Sequence, residues 1–390
     1  MKEFCLDILI YAHDGRGLGH ASRSIGIGMA VRRLYPQLKV LFVTGCRQSG
    51  ELIGQVPLDW LKLPAYETVV VDGKSKGCMG KSMFSDRELG KLRAAELEHL
   101  IKLYRPRLVL VDHTPQGKHR ELVPALAVSR EIGTRWVLGI RGVIGAVSQV
   151  GSDLAGDLFR QYFHGLLWYG DKIILGDSHL KALEKRFGEV PRECGYVSRL
   201  AELAAWQGEF LQCREKLAGT VSVPWLGEHS MNFLEQLARA LAVVPQNYGK
   251  WKLFIDTGTS VLRHRKIWKM FEGMDHCSLE LPGEHYPQAL LSSKMCVIYG
   301  GYNSIADALY CGIPALVLER KMQDREQHLH LEQLRKNGCD AIQAIAETEL
   351  TRELLVSHLL AGLSQKNNSS SSVNLNGGVE AADILADMVL

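Results

Sequence analysis

Apolar and polar positions alternate along this chain in blocks. A short unbroken apolar run is followed by a polar, glycine-rich break, and then by a longer stretch with helical spacing. Leu6 to Tyr11 is such a run, Ala21 to Leu34 is the helical stretch after it, and Lys39 to Val43 is the next run. Unbroken apolar runs of this length predict strands covered on both faces, and their alternation with helices predicts parallel α/β units. The same pattern gives a helix over Leu92 to Tyr104 and strands over Leu108 to Val111, Trp136 to Ile140 and Lys172 to Leu175. Each of these runs ends in polar residues of catalytic type: Asp112-His-Thr-Pro-Gln-Gly117, Arg141 and Gly176-Asp-Ser178.

A second series starts after Gly195-Tyr-Val-Ser-Arg199. Strands are predicted over Thr220 to Val223, Leu253 to Ile255, Met295 to Tyr299 and Ala315 to Leu318, with a helix over Met231 to Ala242. The architecture repeats although the sequence does not. A domain boundary is therefore expected near residues 196 to 204, dividing the chain into 1–198, 199–372 and a C-terminal segment 373–390. That last segment follows the low-complexity run Gln365-Lys-Asn-Asn-Ser-Ser-Ser-Ser-Val-Asn-Leu-Asn-Gly-Gly378, a polar surface loop. Its amphipathic stretch, Val379 to Leu390, is expected to pack back on the first domain.

Composition narrows the class without naming a reaction. The 390 residues are 46 % hydrophobic and 23 % charged, enough for two cores, and the net charge of +3 is too small and too evenly spread for a nucleic-acid groove. The N-terminus is too short and too acidic for a signal peptide, and no stretch approaches the roughly 20 apolar residues of an integral membrane segment, so a cytoplasmic protein is expected. Nine cysteines form no C-x-x-C pair and predict neither a zinc site nor a disulfide framework.

Two glycine-rich breaks carry the candidate chemistry. In the first, His13-Asp-Gly-Arg-Gly-Leu-Gly-His20, Gly17 and Gly19 precede a helix, and His13 and His20 flank the turn. Open α/β sheets bind ligands beyond the carboxyl ends of their strands, where this loop falls. In the second, Gly300-Gly-Tyr-Asn-Ser304, two glycines let backbone approach a ligand, and Asn303 and Ser304 stand at the start of a helix whose positive end favours phosphate. Asp307, one turn on, has acceptor oxygens suited to sugar hydroxyls. Each feature has a structural counterpart: glycines suit any tight turn, His20 can cap a helix, Asp112 and His113 can be turn residues, and Arg199 a linker charge. Asn and Ser are favoured caps too, but a cap explains neither the glycine pair before it nor Asp307 after it. The segment Asp72-Gly-Lys-Ser-Lys-Gly-Cys-Met-Gly-Lys-Ser-Met83 reads as a mobile solvated loop, with closure over an anionic acceptor as the alternative.

The run Gly300-Gly-Tyr-Asn-Ser304, with Asp307, Gly312-Ile-Pro-Ala315 and Arg325-Glu-Gln327, resembles the donor site of GT-B glycosyltransferases. The nearest group is family 28, which includes the lipid II N-acetylglucosaminyltransferase. Within it the chain is most similar to an uncharacterised branch of predicted glycosyltransferases, through Asp112-His-Thr-Pro-Gln-Gly117 and Gly195-Tyr-Val-Ser-Arg199. The resemblance implies an α/β GT-B fold, with two Rossmann-like parallel-sheet domains facing a cleft. It implies donor contacts from Gly300, Gly301, Asn303, Ser304, Asp307, Glu326 and Gln327, and a catalytic set of His20, Asp112 and Arg199. Gly17, Gly19, His13, His113 and Arg141 fall on the acceptor side; the base is to be sought among His20, His13, Asp112 and His113, and the leaving-group cation between Arg199 and Arg141.

Two departures stand out. Asp307 replaces the family's usual glutamate, and Val221-Ser-Val-Pro-Trp-Leu-Gly-Glu-His-Ser230 replaces its phosphate loop, with Ser222, His229 or Ser230 as substitutes. The implied activity is inverting, metal-independent transfer of a hexose or amino sugar from a nucleoside diphosphate, UDP before others, to a hydroxyl on a small or lipid-linked acceptor. No cofactor is implied. The alternatives are a nucleotide-sugar hydrolase or 2-epimerase, and a non-catalytic nucleotide-sugar-binding protein.

Overall fold

The computed structural model describes residues 4–13, 18–71, 74–80, 82–145, 150–208, 215–258, 260–323, 325–365 and 373–390. Contacts divide the chain into two units, Met1–Trp206 with Val373–Leu390, and Gln207–Ser372.

In the first unit the strands are β1 (Leu6–Ala12), β2 (Val40–Thr44), β3 (Asp59–Lys62), β4 (Glu67–Val71), β5 (Lys74–Cys78), β6 (Pro106–Asp112), β7 (Arg135–Arg141), β8 (Phe163–Tyr169) and β9 (Arg192–Glu193). The helices are α1 (Gly19–Leu34), α2 (Ser49–Ile53), α3 (Asp86–Tyr104), α4 (Val123–Ile132), α5 (Asp153–Tyr162), α6 (Lys172–Leu175), α7 (Ser178–Phe187) and α8 (Arg199–Gln207). Seven strands form one sheet in the order β3-β2-β1-β6-β7-β8-β9, and the paired strands run parallel. The chain builds outward from β1 to β3 and returns to the other side of β1 with β6. That reversal is the topological switch point, where open α/β sheets hold ligands. Tyr11, Val109, Val111, Val137 and Leu138 are fully buried in the central strands, as their unbroken apolar sequence predicts.

The structure corrects two local expectations. Lys172–Leu175 is a short helix rather than a strand, because Asp171 caps it, its Oδ1 accepting the Ile173 N–H at 2.8 Å; the strand is the preceding run, β8. Helix α3 begins at Asp86, six residues before the first apolar position used to predict it. There Ser85 and Glu88 form a reciprocal capping box, a device contributing about 1 kcal/mol. The glycine- and lysine-rich segment after Val71 contains β5, which pairs antiparallel with β4; Asp72, Gly73 and Lys81 lie outside the described residues.

The boundary falls after Trp206 because α8 packs with the first unit: Trp206 donates its indole N–H to the Met29 carbonyl at 3.1 Å, and Glu202 is ion-paired with Arg33 at 2.8 Å. The helix α15 (Gly377–Asp387) packs on α1. Its approach is stitched on by backbone bonds, Tyr196 N–H to Asn374 O at 2.8 Å and Gly377 N–H to Tyr196 O at 3.0 Å. Gly195 is required there: its φ is +89°, and a Cβ would lie 2.6 Å from Asn374 Cγ.

In the second unit the strands are β10 (Leu217–Val223), β11 (Lys250–Ile255), β12 (Cys277–Glu280), β13 (Ser293–Tyr299), β14 (Ala315–Glu319) and β15 (Ile342–Ala346). The helices are α9 (Ser230–Leu241), α10 (Val261–Met270), α11 (His285–Leu291), α12 (Tyr302–Cys311), α13 (Glu326–Lys336) and α14 (Arg352–Ser364). The sheet order is β12-β11-β10-β13-β14-β15, again parallel, with its switch point between β10 and β13. Val221, Phe233, Leu237, Trp251, Val297 and Leu359 belong to its core. Among the described residues no helix is long and apolar enough to cross a membrane.

Candidate functional site

Residues of both glycine-rich segments lie at the switch points of their sheets, in the first segment His13, Gly19 and His20. In the first unit β1 ends at Ala12 and β6 at Asp112, so His13, Asp112 and His113 leave neighbouring strands at the same edge, and α1 brings His20 and Arg23 to them. Asp112 is the hub. Its Oδ2 lies 2.5 Å from His20 Nδ1, and Arg23 Nη2 donates to Oδ1 at 2.7 Å and Oδ2 at 2.9 Å, with Arg23 Nε 3.2 Å from Oδ1. A carboxylate only accepts, so His20 Nδ1 carries the proton and Nε2 keeps its lone pair.

Three imidazoles gather around this hub. The His13 and His20 ring centroids are 4.2 Å apart, His20 and His113 5.1 Å, and His13 and His113 5.9 Å. His113 has a φ of +79°, uncommon for a residue with a side chain, and its N–H is held by the Gly139 carbonyl at 2.8 Å. Gly139 is itself required: a Cβ there would lie 1.9 Å from the Tyr169 hydroxyl oxygen, and the Tyr169 ring supports Arg23 from 5.6 Å. Within the described residues His13 Nδ1 and His113 Nδ1 have no hydrogen-bond partner.

Burial sets the ionisation of the cluster. It holds all three histidines below the usual imidazole range, His13 and His113 the furthest. At His20, Asp112 pulls upward while Arg23 and Arg141 push down; at His113 the neighbouring Arg141 adds to the depression. Burial alone would raise Asp112, but Arg23 and His20 more than offset it and hold the carboxyl well below its usual range. His20 keeps 18 % of its side chain exposed, against 3 % for Asp112. It is the member of the pair that a substrate can touch.

Arg199 is buried at the start of α8. Its Nε donates to Ser22 Oγ at 3.3 Å and its Nη1 to the Leu52 carbonyl at 3.0 Å, so the buried guanidinium ties α8 to α1 and α2. Gly19 opens α1, whereas Gly17 lies outside the described residues.

In the second unit Gly301 is the N-cap residue of α12. Gly301 has no side chain with which to cap that helix, and no acidic residue stands in its first turn, which contains Asn303 and Ser304. A Cβ at position 301 would meet nothing within 4 Å, so the space before the helix is open. Gly300 is closed in by Gln327, whose Oε1 would lie 3.2 Å from such a Cβ and accepts the Arg320 N–H at 3.2 Å; Glu326 is the first residue of α13. Asp307 is turned inward. Only 7 % exposed, it lies near Tyr286, Cys296 and Cys311, whose ionisations burial raises first and Asp307 further.

The loop in place of a phosphate loop is occupied by side chains. Arg320 lies between the rings of Trp225 and Tyr299, 3.4 and 3.7 Å from their centroids, and donates to the Trp225 carbonyl at 2.7 Å. Ser230 Oγ accepts the Gly227 N–H at 2.8 Å and lies 3.2 Å from Glu347, and Ser222 bonds Tyr286. Ser230 and Ser222 are thus committed within the unit, while His229 stays exposed beside α9.

Arg23, Arg320 and Glu347 were not singled out in the sequence. Arg23 had a signal, since it stands three residues from His20 and so on the same helix face. For Arg320 and Glu347 no local pattern gives one. Among the described residues no group of three His, Cys, Asp or Glu side chains is arranged to hold a metal ion.

No protein-family model and no curated relative matches the chain. Solved structures do match it along nearly its whole length. MurG of Acinetobacter baumannii aligns with a TM-score of 0.55 at 12 % identity, covering 98 % of this chain and 99 % of that one. The glycotransferase of kitacinnamycin gives 0.62 at 15 %, with 98 % and 99 % covered. The UDP-GlcNAc 2-epimerase of Methanocaldococcus jannaschii gives 0.60 at 11 %, with 98 % and 100 % covered. The chain has the GT-B fold, as the sequence resemblance implied.

Proposed function

We propose that this protein is a nucleotide-sugar-dependent glycosyltransferase in which the first unit supplies the base and the second holds the donor. The His20–Asp112 pair at the switch point of the first sheet carries the reading. Asp112 fixes the tautomer of His20 and so presents Nε2 as the acceptor of a proton, the role a hydroxyl nucleophile requires. Asp112 is the orienter and not the base, because its two oxygens are held by Arg23 and His20.

In the reaction His20 Nε2 takes the proton of the acceptor hydroxyl while that oxygen bonds to the anomeric carbon. The bond from that carbon to the diphosphate oxygen breaks, and its electron pair leaves with the diphosphate. In this reading the second unit holds the diphosphate at the start of α12, from Gly301 to Ser304, where N–H groups and the positive dipole end favour negative charge. A single displacement of this kind inverts the anomeric centre and uses no metal. UDP is the proposed carrier, and a hexose or amino sugar the group moved. Asp307, 7 % exposed, serves in this reading as a ribose contact, with Glu326 and Gln327 toward the sugar. Arg199 is left out of the catalytic set because its guanidinium joins helices of the first unit.

A second reading is favoured by one observation, the whole-length match to a UDP-GlcNAc 2-epimerase. One assay separates the two. Incubation with UDP-, dTDP- and GDP-sugars should release nucleoside diphosphate only when a hydroxyl acceptor is added; a C2-epimerised donor without any acceptor would favour the epimerase, and no binding or turnover with any nucleotide sugar would refute both.

A further inference from the structure

A histidine paired with a buried carboxylate ordinarily becomes a stronger base, because the anion favours the imidazolium. Here the carboxylate is shared. Arg23 is itself buried, reaches both oxygens of Asp112, and has its Nη2 3.4 Å from His20 Nδ1, so the cation stands against the carboxylate and the imidazole together. We infer that Arg23 is a positioning residue of the proposed site: it locks the Asp112 carboxylate so that one oxygen lobe is left for His20 Nδ1–H, and it takes up the negative charge that Asp112 would otherwise direct at the imidazole. This rests on His20 being the base.

The geometry supplies both halves of that role. A guanidinium fork bonded to both carboxylate oxygens removes the rotational freedom a single contact would leave. Tyr169, lying below Arg23, fixes the fork in turn, and Gly139 makes room for Tyr169. Among the described residues the charged and titratable groups facing His20 are Arg23 from its own helix, Asp112 and His113 from the end of β6, His13 from the end of β1, and Arg141 from the end of β7. Asp112 is the one anion in that set. What Arg23 does to Asp112 therefore bears on the field at His20, where burial lowers the imidazole first, Asp112 raises it and Arg23 lowers it further.

The test is an NMR titration of the His20 imidazole in the full-length protein, with its signal assigned by loss in H20Q. It needs no substrate and no knowledge of the acceptor. In the wild type His20 should titrate below the ordinary value of about 6.5. In Arg23→Met, where the charge is gone and Asp112 is shared with nothing, the midpoint should rise by about one unit or more. Arg23→Lys keeps the charge but cannot span both oxygens, so its His20 midpoint should stay within about half a unit of wild type. Its kcat/KM should fall by roughly 10²-fold, as expected when a base is mispositioned. If Arg23→Met does not fold, the lysine variant alone decides: wild-type turnover in it overturns the positioning role. A His20 midpoint unmoved in a folded Arg23→Met protein overturns the charge-sharing role. Failure of the base assignment would show separately, as undiminished turnover of His20→Ala, and would leave the titration readable.

Discussion

Among the described residues of the first unit two arginine–carboxylate pairs are buried on both sides, and they are built for different ends. Around Glu121 every group is closed. Tyr11 donates to its Oε1, Tyr66 to Oε2 at 3.0 Å, and Arg93 Nε to Oε2 at 2.6 Å, with Arg93 Nη1 on the Pro64 carbonyl at 2.8 Å; neither member of the ion pair has any exposed side-chain area. Around Asp112 the same chemistry ends on His20, which is partly exposed and stands among imidazoles. A buried pair of charges gains little net stability, since desolvation consumes most of the attraction, but removing one partner strands the other. The Glu121 set therefore reads as a lock between β1, α3 and the segment before α4. The Asp112 set reads as a lock with one end left open for chemistry.

His20→Ala should show the largest effect, lowering kcat/KM by about 10²–10⁴-fold under the base assignment while leaving the thermal midpoint near wild type. Next comes the closed pair: Glu121→Ala leaves Arg93 charged and buried, and should cost about 3–5 kcal/mol in denaturant unfolding while the protein that stays folded turns over normally. Should Glu121→Ala lose activity as steeply as His20→Ala without losing stability, the contrast between lock and site would collapse.

The smallest effect concerns pH. His13, His20 and His113 have folded pKa values below the ordinary 6.5, so between those values and 6.5 the unfolded chain binds more protons than the folded one. Stability from the cluster is then fully present above about pH 6.5 and is lost as pH falls below it. Thermal midpoints measured from pH 5 to 7 should rise with pH, and His113→Phe should flatten the rise. An equal slope in that variant would mean that the cluster is not the source.

The sequence by itself determined the alternation of strands and helices, the two sheets' membership in one fold class, and the glycine-rich turn before α12. These are local matters: apolar runs, helical spacing and glycine freedom act within a few residues of chain. It also placed His13, His20, Asp112 and His113 as candidates, because each stands at the end of a strand or the start of the helix after it. It misjudged Lys172–Leu175, where a single capping aspartate outweighs apolar composition, and the start of α3, where a capping box extends the helix through polar residues.

Only the tertiary structure decided which of those residues meet. His20 and Asp112 are separated by 92 positions, and β1 and β6 become neighbours through the reversal of strand order at the switch point. The same folding turned Asp307 inward, set Arg199 among three helices, and placed Arg320 between the rings of Trp225 and Tyr299. Side-chain partnerships of this kind depend on distances set by packing, and no periodicity in the chain encodes them.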